Sequence, residues 1–150
     1  LKEYTDAQRC LERARRISDQ THDPGNVGVL LALSADVQHR LGDTADAARL
    51  ADHALELVRS SVVPIRQVKT ENILGRLCTR QGDPAGALQL HTSALKTASS
   101  IGYRIEEAHA LAGLARACEA LGDHATARQQ AGAAAGLFDT MGVPEIGRSR

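Results

Sequence analysis

The chain has 150 residues, of which 43% are hydrophobic and 24% charged, enough apolar material for a sizeable core in a single folded domain. Its formal net charge is zero and only Tyr4, Tyr103 and Phe138 are aromatic, so it has neither the basic field nor the stacking platform that nucleic acid requires. Direct nucleic-acid contact is not expected, and with no apolar run approaching about twenty residues, neither is membrane contact.

In chain order, helical spacing predicts elements near residues 5–20, 25–41, 44–60, 65–81, 84–100, 104–121 and 124–140, with a truncated helix opening at Pro144. The punctuation between them has a mechanism. Gly42, Gly82 and Gly122 can each end a helix in the left-handed conformation without a Cβ penalty. Asp43, Asp83 and Asp123 follow, each able to accept a hydrogen bond from the orphan amides of the next helix. Pro84 stands at a first helical position, where its missing N–H costs nothing, and Pro24, Pro64 and Pro144 are placed to open other helices in the same way.

The three glycines are 40 residues apart, and in that register Ala7, Ala47, Ala87 and Ala127 coincide, as do Ala14, Ala54, Ala94 and Ala134. Ala35, Gly75 and Ala115 form a small column on the preceding helices, beside Leu31, Leu74, Leu111 and Leu114. Small side chains let antiparallel helices approach to about 8–10 Å. The expected units are a half repeat over 1–24, then 25–63, 64–103 and 104–143, and a truncated helix over 144–150. Leu1 is not a methionine and already lies in a helical pattern, so the chain is expected to be a piece of a longer polypeptide.

Leu74-Gly75, Gly82, Ala87 and Ala94 resemble the tetratricopeptide repeat, with its small residue in the first helix, Gly-containing turn and two alanines seven apart in the second. Leu114-Ala115, Gly122, Ala127 and Ala134 repeat the pattern, and Ser34-Ala35, Gly42, Ala47 and Ala54 precede it. The family's aromatic positions are filled instead by Leu31, Glu71 and Leu111, and by Ala51, His91 and Ala131, and the period exceeds the common form's roughly 34 residues. The resemblance implies an all-α, right-handed superhelical solenoid of antiparallel helix pairs. The run from Tyr103 to Glu145 further resembles the C-terminal repeats of actinobacterial transcriptional activators of the SARP/AfsR type, and fifteen arginines against three lysines fit a high-GC genome. No GxxxxGK[ST] loop occurs, so no nucleotide site carries over and no cofactor is expected.

In such a stack the first helix of each unit lines the concave face, where the resemblance places partner binding. The inward positions are expected to be Lys69, Asn72, Arg76 and Thr79 in the middle unit, flanked by Val29, Ala32, Asp36 and His39 and by His109, Ala112, Arg116 and Glu119. Lys69, Arg76 and Arg116 make this strip mildly basic, suited to an acidic or carboxylate-bearing peptide or a neighbouring domain; the alternative is a set of ordinary solvated charges. Glu71 and Gln81 stand where neighbouring units have leucine and are expected to snorkel to the helix edge, the alternative being a local partner contact.

The six histidines include no i,i+4 pair and no HExxH, and no CxxC occurs, so neither a metal site nor an enzyme is expected. Cys78 and Cys118 share one column and read as small core filler, and with Cys10 their wide spacing and the lack of a signal-peptide h-region point to a reducing cytoplasm. Two functions from different classes follow. One is a protein-binding module of a larger transcriptional regulator. The other is self-association as a homodimer through end helices, with Leu11 and Ile17 at one end and Leu137 and Phe138 at the other.

Overall fold

The computed structural model describes residues 2–142, so the helix expected from Pro144 and the unit 144–150 lie outside the described residues. Seven helices are found there: α1 (Lys2–Gln20), α2 (Pro24–Leu41), α3 (Thr44–Arg59), α4 (Pro64–Arg80), α5 (Pro84–Ile101), α6 (Arg104–Ala120) and α7 (His124–Thr140). No strand occurs among the described residues.

The Gly-Asp pairs work as their chemistry dictates. Gly42, Gly82 and Gly122 have φ of 93°, 77° and 84°. Each following aspartate then serves two helices. Its backbone N–H closes the preceding one, Asp43 onto the Gln38 carbonyl at 3.0 Å and Asp83 and Asp123 onto the Cys78 and Cys118 carbonyls at 2.9 Å. Its carboxylate caps the next one, accepting from the amides of Asp46 (2.9 Å), Gly86 (2.9 Å) and Thr126 (3.1 Å). Pro24, Pro64 and Pro84 each open a helix.

A second left-handed column lies at His22, Gly102 and Gly142, with φ of 54°, 69° and 64°. Val62 falls in the same register, and a β-branched side chain resists that conformation. The chain there leaves α3 at Arg59 and crosses four residues, Ser60 to Val63, before α4. Gly102 needs only Tyr103 beside it to join α5 to α6. Consequently α4 packs far less extensively on α3 than α6 does on α5, and the Val62 side chain is left in solvent.

The alanine columns set the packing. Ala47, Ala54, Ala87, Ala94, Ala127 and Ala134 are all buried, whereas Ala7 and Ala14 on α1, with no described helix before them, are half-buried. Helices α2, α4 and α6 pack side by side as one layer, and α3, α5 and α7 form the other, with wider spacing between their backbones. The result is an all-α helical repeat solenoid. Phe138 departs from its expected place on an exposed end. It is buried with Ala108, Leu111 and Ala134, its ring 5.6 Å from that of His109. Leu137 and Leu11 are half-buried, and Ile17 is the exposed member of that set.

Enlarging a fully buried alanine must therefore push two helices apart. Ala54→Leu is expected to lower stability by about 1–3 kcal/mol in urea melts. An unchanged midpoint and slope would show that the α2–α3 contact is not limited by side-chain size.

Candidate partner-binding groove

Helices α2, α4 and α6 expose one stripe each along the inner layer, and the helix turn decides which residues reach it. At about 100° per residue, a step of seven from Lys69 to Arg76 returns almost to the same direction, and a further four leads to Arg80. Asn72 and Thr79 lie about 60–80° to one side, toward α6.

The structure accordingly corrects part of the expected strip. Asn72 is buried, not groove-lining: its amide nitrogen donates to the Glu106 backbone carbonyl at 3.0 Å and to Glu106 Oε2 at 2.9 Å, and its Oδ1 accepts from His91 Nδ1 at 3.0 Å. Ala32, in the same column on α2, is buried for the same geometric reason. Thr79 is half-buried and donates back to the Gly75 carbonyl at 3.1 Å. Lys69 leans its Nζ over the Tyr103 ring, 5.8 Å from the centroid. His109 lies against Phe138, with Nδ1 3.5 Å from Glu106 Oε2. Asp36 is engaged by two arginines, Arg40 of its own helix at 3.2 Å and Arg80 across the groove.

Arg76 and Arg116 remain. Among the described residues neither has a carboxylate within ion-pair distance, although Arg76 is half-buried and Arg116 is exposed. At Arg76 partial burial lowers the proton affinity of the guanidinium, Glu106 opposes it, and the charges of Arg80 and Arg116 lower it further. At Arg116, whose surface is largely open, crowding by neighbouring groups and the charge of Arg80 act in the same direction. Burial pushes the Glu106 carboxyl up, but hydrogen bonds from His109 and Asn72 outweigh that and hold it below the ordinary glutamate range. The groove centre thus holds Arg76 and Arg116 without an ion-pair partner among the described residues, beside Arg80, which pairs with Asp36, while Glu106 is hydrogen-bonded by Asn72 and faces His109. Arg80 was within reach of the sequence, because it continues the Arg76 stripe by one i+4 step.

Beneath the groove, His91 of α5 is fully buried between α4 and α6. Its ring fits because the residues facing it are glycines. A Cβ on Gly75 would come within 2.5 Å of His91 Nε2, and one on Gly113 would also overlap the ring. One unit earlier the sizes in these two columns are reversed, with Ala51 in the register of His91 and Ile73 in that of Gly113, and Ala51 packs against the core cluster that includes Ile73. His91 Nε2 has no partner among the described residues. Burial, reinforced by Arg76 and Arg116, lowers the His91 pKa to about 4, so the ring is neutral at pH 7 with its proton on Nδ1.

Other expected positions carry no chemistry in the groove. Cys118 is buried and Cys78 half-buried, and burial raises both thiols, leaving them protonated rather than nucleophilic. Gln81 is exposed as expected. Glu71 does not snorkel: it is only 7% exposed, because α4 is flanked by α3 and α5 on that side.

Compared with protein-family models, the chain matches the Tetratricopeptide repeat over residues 1–60 and 67–138. No curated protein gives a significant match.

The buried histidine has a pH signature. Its folded-state pKa lies below the unfolded value of about 6.5, so the unfolded chain binds the extra proton first, and the contribution present above pH 6.5 is lost as pH falls toward 4. Between pH 7.5 and 5.0 the stability difference between wild type and His91→Gln should shrink by about 2 kcal/mol. A difference that stays constant across that window in urea melts would contradict a neutral, buried His91.

Proposed function

Because the chain belongs to the tetratricopeptide repeat family, whose repeats generally mediate protein–protein interaction, we propose that the groove of α2, α4 and α6 docks an acidic or carboxylate-bearing peptide or a neighbouring domain. The observation that carries this reading is the pair Arg76 and Arg116, which have no ion-pair partner among the described residues, beside Arg80, which is paired with Asp36. Arg76 gives up part of its hydration without gaining a carboxylate in return. A guanidinium so placed gains most from a ligand that supplies the missing anion in a bidentate pair. Lys69, held over Tyr103, adds positive charge at one edge.

The wider setting follows from the resemblance to SARP/AfsR-type activators. In that reading the chain is an extended, 40-residue-period repeat region of a cytoplasmic actinobacterial transcriptional regulator, and docking in the groove is relayed to a switch elsewhere in the polypeptide. The three free cysteines fit a reducing compartment, and no helix among the described residues is long and apolar enough to cross a membrane. Repeats of this kind are interaction scaffolds and typically not enzymes. Self-association through end helices is favoured by one observation, Ile17 at 55% exposure on α1. Burial of Phe138 removes much of the apolar surface that the opposite end would have supplied.

Fluorescence anisotropy with acidic peptides and their Asn/Gln counterparts tests the groove. The acidic set should bind more tightly and weaken with salt, and Arg76→Ala combined with Arg116→Ala should lower affinity by about ten-fold or more. Equal binding of the neutral peptides, or no effect of the double substitution, would contradict the docking reading. For self-association, light scattering across a dilution series should show a persistent dimer that Ile17→Lys dissociates.

A further inference from the structure

On the face away from the groove, the loose packing of α4 against α3 leaves a cleft of about 490 Å³ between α3 and α5. Leu55 and Val58 form one wall, Leu90 another, and Glu71 of α4 lines it between them. The size falls within the range of about 300–1,000 Å³ typical of small-ligand sites.

Glu71 occupies the column that Leu31 and Leu111 fill with buried apolar side chains. A carboxylate there is costly unless it is fully hydrogen-bonded. Half of it is: Gln67 Nε2 and Ser93 Oγ both donate to Oε1 at 2.9 Å. Oε2 is buried without a partner among the described residues. The two donors fix the orientation of the group and leave its second oxygen unpaired, on a residue that lines the cleft. Arg59 lies near enough to stabilise the ionised form but makes no ion pair with it among the described residues.

We infer that this cleft is a second binding site, separate from the groove, for an alkylammonium or guanidinium group on a short aliphatic stem, the cation pairing with Glu71 Oε2 and the stem lying against Leu55, Val58 and Leu90. The match is chemical: an unpaired carboxylate oxygen on one lining residue and apolar side chains on others select a charged head on an apolar stem. Two sources share that chemistry, a free amine and a lysine or arginine side chain presented by a polypeptide. Burial pushes the Glu71 carboxyl above its ordinary range, so binding strengthens as pH rises and the group ionises.

Methyl NMR titration of the whole chain with cadaverine, agmatine and N-acetyl-lysine methylamide, against the uncharged N-acetyl-norleucine methylamide, decides the matter. Saturable shifts of the Leu55, Val58 and Leu90 methyls are expected with a cation and not with the neutral control. Glu71→Gln, which keeps the shape, should weaken binding by at least about ten-fold. Glu71→Leu should abolish binding while the chain stays folded, since leucine fills this column in the neighbouring units. Binding by all three cations assigns the shared head group, and binding by the lysine derivative alone assigns a polypeptide source. No saturable shift with any cation, equal binding to Glu71→Gln, or binding that appears only in Arg59→Ala would overturn the inference, the last because the chain's own guanidinium would then fill the cleft.

Discussion

How closely one helix can approach another is set by the side chains between them, and in this chain that limit is met with almost nothing but alanine and glycine. Ala47 with Ala54, Ala87 with Ala94 and Ala127 with Ala134 are buried in the second helices, and Ala35, Gly75 and Ala115 are buried in the first. Where two hairpins meet, volume must be shared across the seam rather than within one helix. The ring of His91 takes the space that Gly75 and Gly113 leave, and one unit earlier the same columns hold a small residue, Ala51, and a large one, Ile73. Such exchanges are tolerated because a core fixes total volume more strictly than identity.

The placement of polar chemistry follows from that packing. His91 brings a ring N–H into the interior, Asn72 Oδ1 accepts a hydrogen bond from it, and the Asn72 amide in turn donates to Glu106, so a chain of hydrogen bonds runs from α5 through α4 to α6. Glu106 is thereby hydrogen-bonded to Asn72 and makes no ion pair with Arg76, which it stabilises only through space. The positive centre of the groove is in this sense a consequence of how the seam beneath it is filled. On the opposite face Val62 has a comparable reach: by refusing a left-handed turn it loosens α4 from α3 and leaves Glu71 beside open space.

Much of the fold was legible because its determinants are local. Gly-Asp turns, N1 prolines and alanines seven apart act within one hairpin, and the helix boundaries drawn from them fall within a residue of those observed, apart from the start of α1. The groove was legible only in outline. Steps of three and four share a stripe only loosely, so spacing alone puts Asn72 and Ala32 on a surface from which neighbouring helices exclude them and does not single out Arg80, which reaches across to Asp36. Glu71 was misread because snorkelling depends on whether a neighbouring helix blocks the path to water, which its own sequence does not encode. The His91–Gly113 exchange left a trace, a large residue in one column and a glycine in another, but joining the two requires knowing that α5 packs between α4 and α6.

A double-mutant cycle on His91→Ala and Gly113→Ala tests most directly whether side-chain volume across the seam holds these hairpins in register. Helix propensity favours Gly113→Ala in both backgrounds and cancels in the cycle. If the ring occupies the space beside Gly113, the added methyl should be worse tolerated in the wild type than in His91→Ala, with a coupling of at least about 1 kcal/mol by urea denaturation. Additive effects would mean that the two residues do not share that space, and would contradict the account of how the repeats are spaced.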